Sequence, residues 1–144
     1  MNIRRHIEDA LFLWKTGRRE SAMLLAVVAV AATARKEMPT ARDREAFEAL
    51  AKRIRPYSLS IHYRDEIRPI EEILYKWLRY VLVHEADWPT DIEFISDPAP
   101  GLSRIRAAGG NDNILQLSES WFYDIVHIVV HSPMNVDEFT NFNA

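Results

Sequence analysis

The apolar residues between positions 70 and 82 constrain the fold of this chain more than any other feature of its sequence. They recur at the three- and four-residue spacing of one helix face, at Ile70, Ile73, Leu74, Trp77, Leu78, Val81 and Leu82. Pro69 suits the first turn of a helix, and Glu71 and Glu72 complement the positive end of its dipole. The Trp88-Pro89 pair ends the pattern. The sequence therefore predicts one long amphipathic helix here.

Three further helices are predicted before this one. The first covers about residues 3–15, and Gly17 suits its C-terminal turn. The second runs from about Arg18 to Lys36, and because its middle is apolar on all sides, it is expected to be the most buried helix. The third covers about residues 41–54, between two prolines that cannot continue a helix.

The pattern changes after Pro89. Residues 91–95, 103–107 and 114–117 are predicted to form short strands, because they are short β-prone runs bounded by turn residues. A last helix, capped by Ser118 or Ser120, is predicted to run to His131. The residues that follow are expected to be loosely held, as chain ends often are.

These elements predict a mainly α fold: an antiparallel bundle of about four helices, a small C-terminal β-hairpin or sheet, and a final helix. A chain of 144 residues is expected to form a single domain, residues 1–144. Within it, residues 1–87 are predicted to form the helical core and residues 88–134 a β-containing extension with the last helix. Residues 135–144 are the predicted tail.

The composition indicates a globular protein without disulfides. The chain has no cysteine, which excludes thiolate metal sites and cysteine nucleophiles and suits a reducing cytoplasm. Its longest apolar run, Ala22 to Ala34, has 13 residues, fewer than the roughly 20 that span a bilayer. We therefore expect a cytoplasmic protein that makes no membrane contact.

Charge is distributed unevenly along the chain. Residues 1–80 hold 16 Lys and Arg against 11 Asp and Glu, a balance of +5, whereas residues 81–144 hold 2 against 10, a balance of −8. The basic half leaves room for a surface that attracts phosphate. Alternatively, the two halves complement each other within one fold or across a dimer.

Arg79 and His84 lie five positions apart in the long predicted helix. They offer a fixed positive charge and a group that titrates near neutrality, which metal-free RNA cleavage needs. Five residues of an α-helix turn by about 500°, so the two side chains should point about 140° apart, with Lys76 and Tyr80 between them. Because they cannot converge on one phosphate from a single helix, a catalytic interpretation requires two copies that cross at a shared cleft.

An Arg-x4-His motif set among apolar helical residues resembles the signature of HEPN domains, over roughly residues 1–87. The resemblance implies a homodimeric, metal-independent endoribonuclease that needs no cofactor. It also implies a toxin–antitoxin or phage-defence setting, with an antitoxin or defence protein as partner. In the implied reaction the RNA 2′-OH attacks its own phosphate and leaves a 2′,3′-cyclic end.

The resemblance also implies roles for individual residues. His84 is expected to act as general acid or base, and Arg79 to neutralise the charge that develops on the phosphate oxygens. Tyr80 and Lys76 are expected to assist at the RNA. From the sequence alone, His62 either lines the cleft that leads to His84 or stands in a surface turn, and the irregular segment around it favours the turn.

Two alternatives stay open. In active HEPN proteins the residue after the arginine is commonly Asn, Asp or His, and here it is Tyr80. The chain is therefore also consistent with a non-catalytic HEPN-like module that binds nucleotide, RNA or a protein partner. A fold that keeps the dimer cleft but holds Arg79 in an ion pair within its own chain would favour this alternative. A different helical scaffold, with its function in the β region, is the third possibility.

His127 and His131 are four residues apart on the predicted last helix, a spacing by which two imidazoles can share one face and bind zinc. Asp124, one turn earlier, offers a third ligand. Against this, Ile128 occupies the position of the glutamate in the HExxH motif, and the neighbouring residues are apolar. The sequence more strongly favours histidines on the polar edge of a packed helix, and no metal is expected.

Overall fold

The computed structural model of this chain describes residues 2–80, 87–97, 105–107 and 114–143, with the backbone alone for Tyr80 and residues 105–107. The helices are α1 (Ile3–Lys15), α2 (Arg19–Glu37), α3 (Asp43–Ala51), α4 (Ile70–Ile73) and α5 (Ser120–Val130), with a π-helix at Leu74–Tyr80 and 3₁₀ turns at Lys52–Ile54 and Pro133–Asn135. The strands are β1 (Ser60–Tyr63), β2 (Glu66–Pro69), β3 (Ile92–Ile95), β4 (Ile105–Ala107) and β5 (Leu115–Ser118). The mainly helical class predicted from the sequence is confirmed.

Helix α2 lies at the centre of the core. It packs against α1, α3 and α5, and its buried side chains are mostly small: Ala22, Met23, Ala26, Val27, Ala29, Val30, Thr33 and Ala34. Small side chains allow neighbouring helices to approach closely. The predicted bounds of this helix and its central place agree with the structure, whereas the helix Ser120–Val130 buries a larger share of its residues, 7 of 11 against 8 of 19.

Helix α1 also follows its sequence pattern. The apolar residues of its stripe are all buried, and Gly17 ends the helix with a φ of 86°, a left-handed conformation that glycine adopts without steric strain. The side chain of Asn2 caps the other end by accepting a hydrogen bond from the backbone N–H of Arg5 at 2.9 Å. The chain can therefore turn directly into α2.

Residues 57–68, to which the sequence pattern assigns no helix or strand, contain most of a β-hairpin. Strands β1 and β2 pair in antiparallel fashion, with His62 opposite Ile67. The two-residue turn between them consists of Arg64 (φ 50°) and Asp65 (φ 65°), where hairpins usually place Asn-Gly. The prediction missed the hairpin because Arg-Asp is not a turn signal.

Contacts distant in sequence stabilise this hairpin. Asp91 accepts hydrogen bonds from Arg64 Nε (2.7 Å) and from the Tyr63 hydroxyl (2.6 Å). Burial raises the pKa of Asp91, but these hydrogen bonds outweigh it and hold the pKa below its usual value. The carboxylate therefore stays ionised and fixes the strained turn.

A three-stranded sheet precedes α5. Its order is β3-β5-β4, with β3 parallel and β4 antiparallel to β5. The three strands and the last helix lie where the sequence predicts them. The predicted serine caps are wrong: Glu119 precedes the helix without a side-chain cap, and Asp97 accepts the hydrogen bond of the Ser120 N–H at 2.9 Å.

The C-terminal residues are not loosely held, contrary to the prediction for the tail. The Glu138 carboxylate accepts hydrogen bonds from the N–H of Ile3 (3.0 Å) and from Lys36 Nζ (2.6 Å), so it joins α1 to α2. Phe139 is buried. A polar sequence at a chain end gave no sign of these contacts, because each partner lies about 100 residues or more away.

Glu138→Gln is expected to lower the free energy of unfolding at pH 7 by about 1–2 kcal/mol, because an amide accepts these hydrogen bonds more weakly. Burial raises the pKa of Glu138, but its bonds with Lys36 and with the N–H groups of Arg4 and Ile3 bring the pKa below its usual value. A carboxylate of this kind stabilises the fold above its unfolded pKa, about 4.3, and loses that contribution as pH falls through the folded pKa.

The loss caused by Glu138→Gln should therefore shrink as pH falls from 5 towards 3. Urea denaturation at pH 7, 5 and 3.5 measures it, with the exposed neighbour changed in Asp137→Asn as the control. A loss of the same size at all three pH values would contradict the conclusion that the ionised Glu138 carboxylate stabilises the fold.

Among the residues that the structure describes, no helix is both long enough and apolar enough to cross a lipid bilayer.

Candidate nucleic-acid interface

The segment that carries Arg79 is not a continuous α-helix. Helix α4 ends at Ile73, and residues Leu74–Tyr80 form a π-helix, in which hydrogen bonds join residues five apart. Its apolar stripe is buried as predicted, with Leu78 fully inaccessible and Trp77 5% exposed. Because π-helical turns are rare and frequently found at functional sites, the segment around Arg79 is a candidate functional site.

His84 lies outside the described residues, as do Val81 and Leu82 of the predicted stripe. The 140° separation expected between Arg79 and His84 assumed α-helical geometry, which ends at Ile73. The catalytic pair therefore stays a prediction from the sequence.

Arg79 is largely buried against α3. Its side chain is 19% exposed, and its Nη2 atom lies 3.7 Å from Oδ2 of Asp43. That distance makes an ion pair but exceeds the range of a good hydrogen bond. Its Nε atom is buried and has no hydrogen-bond acceptor among the described residues. A guanidinium held in this way keeps an unused donor, which is unfavourable when buried.

Asp43 is the centre of a small polar group. Its carboxylate accepts a hydrogen bond from the Tyr75 hydroxyl at 3.2 Å, and it also lies 3.8 Å from Nη2 of Arg35. Burial, followed by the nearby charge of Asp43, raises the pKa of Tyr75. We refer to Arg35, Asp43, Tyr75 and Arg79 as the Asp43 cluster. It combines two guanidinium groups with one carboxylate.

Three members of the Asp43 cluster were not predicted as site residues. Asp43 is an acidic residue in the first turn of a helix, which dipole stabilisation explains on its own. Arg35 stands near a helix C-terminus, where cations are common, and donates a hydrogen bond to the Ala41 carbonyl at 2.6 Å. Tyr75 stands between Leu74 and Trp77 of the apolar stripe. No spacing in the sequence relates these residues to Arg79.

Lys76 lies on a different flank of the π-helix from Arg79. Its ammonium lies 4.9 Å from the centre of the Trp77 ring, which the guanidinium groups of Arg64 and Arg68 also approach, at 5.2 and 4.8 Å. Lys76 therefore faces the hairpin, whereas Arg79 faces α3. No carboxylate among the described side chains lies within ion-pair distance of Lys76.

His62 is exposed on the outer face of the hairpin, opposite Ile67, which is 76% exposed. No contact between His62 and Arg79 or Lys76 is present in the described part of the chain. For Tyr80 only the backbone is described, so its predicted contact with RNA lies outside what the structure describes. A single chain thus does not bring Arg79, Lys76 and His62 together.

The two oppositely charged halves of the sequence complement each other within the fold. Among the described residues, four ion pairs join a cation before residue 81 to a carboxylate after it: Arg19–Glu119 (2.7 Å), Lys36–Glu138 (2.6 Å), Arg55–Asp124 (3.1 Å) and Arg64–Asp91 (2.7 Å). Much of the excess positive charge is therefore neutralised internally. This favours the second of the two interpretations of the charge pattern, and any phosphate-binding surface must be local.

Two surface clefts lie away from Arg79. One, of about 480 Å³, is lined by Arg18, which precedes α2, by Ser21 in α2, and by Trp88 and Phe94. The other, of about 190 Å³, lies beside Lys52 and the chain that follows it. Neither cleft is lined by Arg79, Lys76 or His62.

Asp124, the third ligand that the sequence offers beside His127 and His131, pairs with Arg55 at 3.1 Å. Within the described ranges, no group of three or more His, Asp or Glu side chains is arranged to hold a metal ion.

Comparison with known proteins gives a family. The model of the Rv1289 protein family matches residues 2–62 and residues 55–143, which together span nearly the whole chain. The family name describes no activity. No curated protein and no solved structure matches the chain.

Proposed function

The chain belongs to the Rv1289 family, and we propose that it is an RNA-binding module with a HEPN-like antiparallel helical bundle. In this proposal the Asp43 cluster contacts a phosphate of the RNA backbone. The observation that supports it is the pair of long contacts at Asp43, where the guanidinium groups of Arg79 and Arg35 lie 3.7 and 3.8 Å from one carboxylate.

The charges of the Asp43 cluster favour an added anion. Two guanidinium groups carry +2, and one carboxylate carries −1, so the cluster has an excess positive charge. Both guanidinium groups are 3.7–3.8 Å from the carboxylate, and among the described residues only Tyr75 donates a hydrogen bond to it. A phosphate offers more acceptor oxygens than a carboxylate and suits the planar fork of arginine. A phosphate can therefore pair with the two guanidinium groups more closely than Asp43 does.

Asp43 then acts as an internal competitor. Its side chain is 46% exposed and stands where the two guanidinium groups converge, so an incoming phosphate must displace it or share its partners. This arrangement predicts weak binding by the isolated chain and tighter binding when the carboxylate is neutralised. It also favours the non-catalytic alternative, because Arg79 is engaged within its own chain.

Asp43→Asn is expected to tighten the binding of single-stranded RNA by roughly 3- to 10-fold, because it removes the competing charge from a partly exposed site. Glu45→Gln is the matched control: it removes the same charge from the same helical turn, but Glu45 is exposed and pairs with no cation among the described residues. Fluorescence anisotropy with a labelled oligonucleotide at several salt concentrations measures both.

Arg79→Ala is expected to weaken the same binding by roughly 10- to 100-fold and to flatten its salt dependence by about one phosphate contact. Arg79→Lys should recover only part of the loss, because lysine keeps the charge without the planar fork. Arg5→Ala, a change of an exposed arginine without an ion pair in the described chain, should have little effect. Equal losses for Arg79→Ala and Arg5→Ala, with both variants folded by circular dichroism, would refute the proposal.

A second candidate function is catalytic. The Arg-x4-His motif and the π-helix that carries its arginine support a metal-independent endoribonuclease of HEPN type, acting as a homodimer in a toxin–antitoxin or phage-defence setting. Arg79 and His84 of both copies would line the cleft, with Lys76, Tyr80 and His62 towards the RNA.

Incubation with mixed RNA in EDTA tests this candidate. Cleavage that leaves 2′,3′-cyclic phosphate ends, and that His84→Ala and Arg79→Ala both abolish, is the expected result. RNA binding without cleavage would support the function as an RNA-binding module and exclude the function as a nuclease.

A further inference from the structure

His127 and His131 form a pair of stacked imidazoles on the surface of α5. Their ring centres are 4.0 Å apart and their planes are tilted by 44°. Both side chains are exposed, whereas Ile125, Ile128 and Val129 on the other side of the helix are buried. The helix is therefore fixed on the core, and the two rings project from it next to each other.

We propose that this pair binds a divalent transition-metal ion such as Ni²⁺ or Zn²⁺, independently of the proposed RNA site. Imidazole nitrogen is a preferred ligand of these ions. Two nitrogens at 2.0–2.1 Å from a tetrahedral ion lie roughly 3.3 Å apart. The ring centres are 4.0 Å apart, so rotation about the side-chain bonds that opens the stacked arrangement can direct one nitrogen of each ring towards a shared ion.

The pair is pre-organised for chelation. Residues four apart on a helix lie on the same face, one turn from each other, so both ligands come from one rigid element. The two rings already lie next to each other, and a change of side-chain rotation is enough to turn both towards one ion. The imidazoles also stand at the C-terminal end of α5, where the helix dipole favours positive charge.

The proposed site has two protein ligands, and this number limits its affinity for the ion. Asp124, the nearest acidic side chain one turn earlier, is held by Arg55 at 3.1 Å, so we assign it no part in coordination. Water fills the remaining positions around the ion. The site is therefore an exchangeable surface chelate and differs from closed structural zinc sites, which have four protein ligands.

Isothermal titration of the whole chain with Ni²⁺ tests the proposal. We expect saturable binding in the micromolar range at one site that needs both histidines. His127→Ala and His131→Ala should each weaken it by more than roughly 10-fold, because each removes one of two ligands. His6→Ala is the matched control, since His6 lies on α1 without a second histidine one turn away. Both test positions are exposed, so circular dichroism should show all three variants folded.

A second measurement needs no titration. Saturating Zn²⁺ should raise the melting temperature of the wild-type chain by roughly 5–10 °C at about 100 times the dissociation constant. The same shift should appear in His6→Ala and be lost in His131→Ala. Absence of saturable Ni²⁺ binding to the wild type, or equal binding by His131→Ala and wild type, would overturn the proposal.

Discussion

Phe47→Ala is expected to lower the free energy of unfolding by about 3–5 kcal/mol, the largest effect we predict for a single substitution in this chain. Phe47 is 1% exposed and is surrounded by side chains of three other helices, among them Val27, Leu74 and Ile125. Its ring meets Tyr75 edge to face, with centres 5.4 Å apart. Truncation leaves a cavity where these elements meet, and a rigid interior cannot close it fully.

Phe12→Ala is the control for this substitution. Phe12 is also on a helix, but its side chain is 67% exposed, so its removal should change the stability by less than about 0.5 kcal/mol. Urea denaturation followed by circular dichroism measures both variants. Similar losses in the two would mean that the position of α3 on the core is wrong. Because Phe47 supports Tyr75, the Asp43 cluster depends on the same packing.

Asn135→Ala is expected to lower the free energy of unfolding by about 2–3 kcal/mol. Asn135 is fully buried, and its Nδ2 atom donates hydrogen bonds to Thr33 Oγ1 and to the Val129 carbonyl, both at 2.9 Å. Alanine leaves the Thr33 hydroxyl without this donor in the interior and opens a small void. The substitution also loosens the residues that carry Glu138.

Asn143→Ala provides the comparison, because Asn143 is exposed in the same C-terminal segment. It should leave the free energy of unfolding within about 0.5 kcal/mol of the wild-type value. Hydrogen exchange adds a local measurement: Asn135→Ala should speed exchange at the N–H groups of Ile3 and Arg4, which Glu138 protects. Unchanged stability and exchange in Asn135→Ala would mean that the C-terminal segment is not anchored through this side chain.

The proposed RNA site and the proposed metal site can fail independently. The first depends on the contact between α3 and the π-helix, where Arg79 meets Asp43. The second depends only on two exposed side chains of α5. Variants of one site should leave the other unchanged, so each experiment tests a single proposal.

Local patterns in the sequence determined the regular helices and their buried faces. The spacing of apolar residues predicted α1, α2 and α5 with bounds close to those observed, because a helix that buries one face must repeat its apolar residues every three to four positions. The same argument found the buried face of the segment from Ile70 to Leu78. It did not reveal that the backbone changes to a π-helix at Leu74, because both helix types bury the same side chains there.

Only the tertiary structure decided the hairpin, the anchored C-terminus and the surroundings of Arg79. The Arg64 turn is held by Asp91, the C-terminal segment by Lys36 and the N-terminus of α1, and Arg79 by Asp43. Each of these contacts joins residues at least 27 positions apart, so no local spacing encodes it. The energy that fixes them comes from burial and ion pairing between elements, which arise only once the helices have packed.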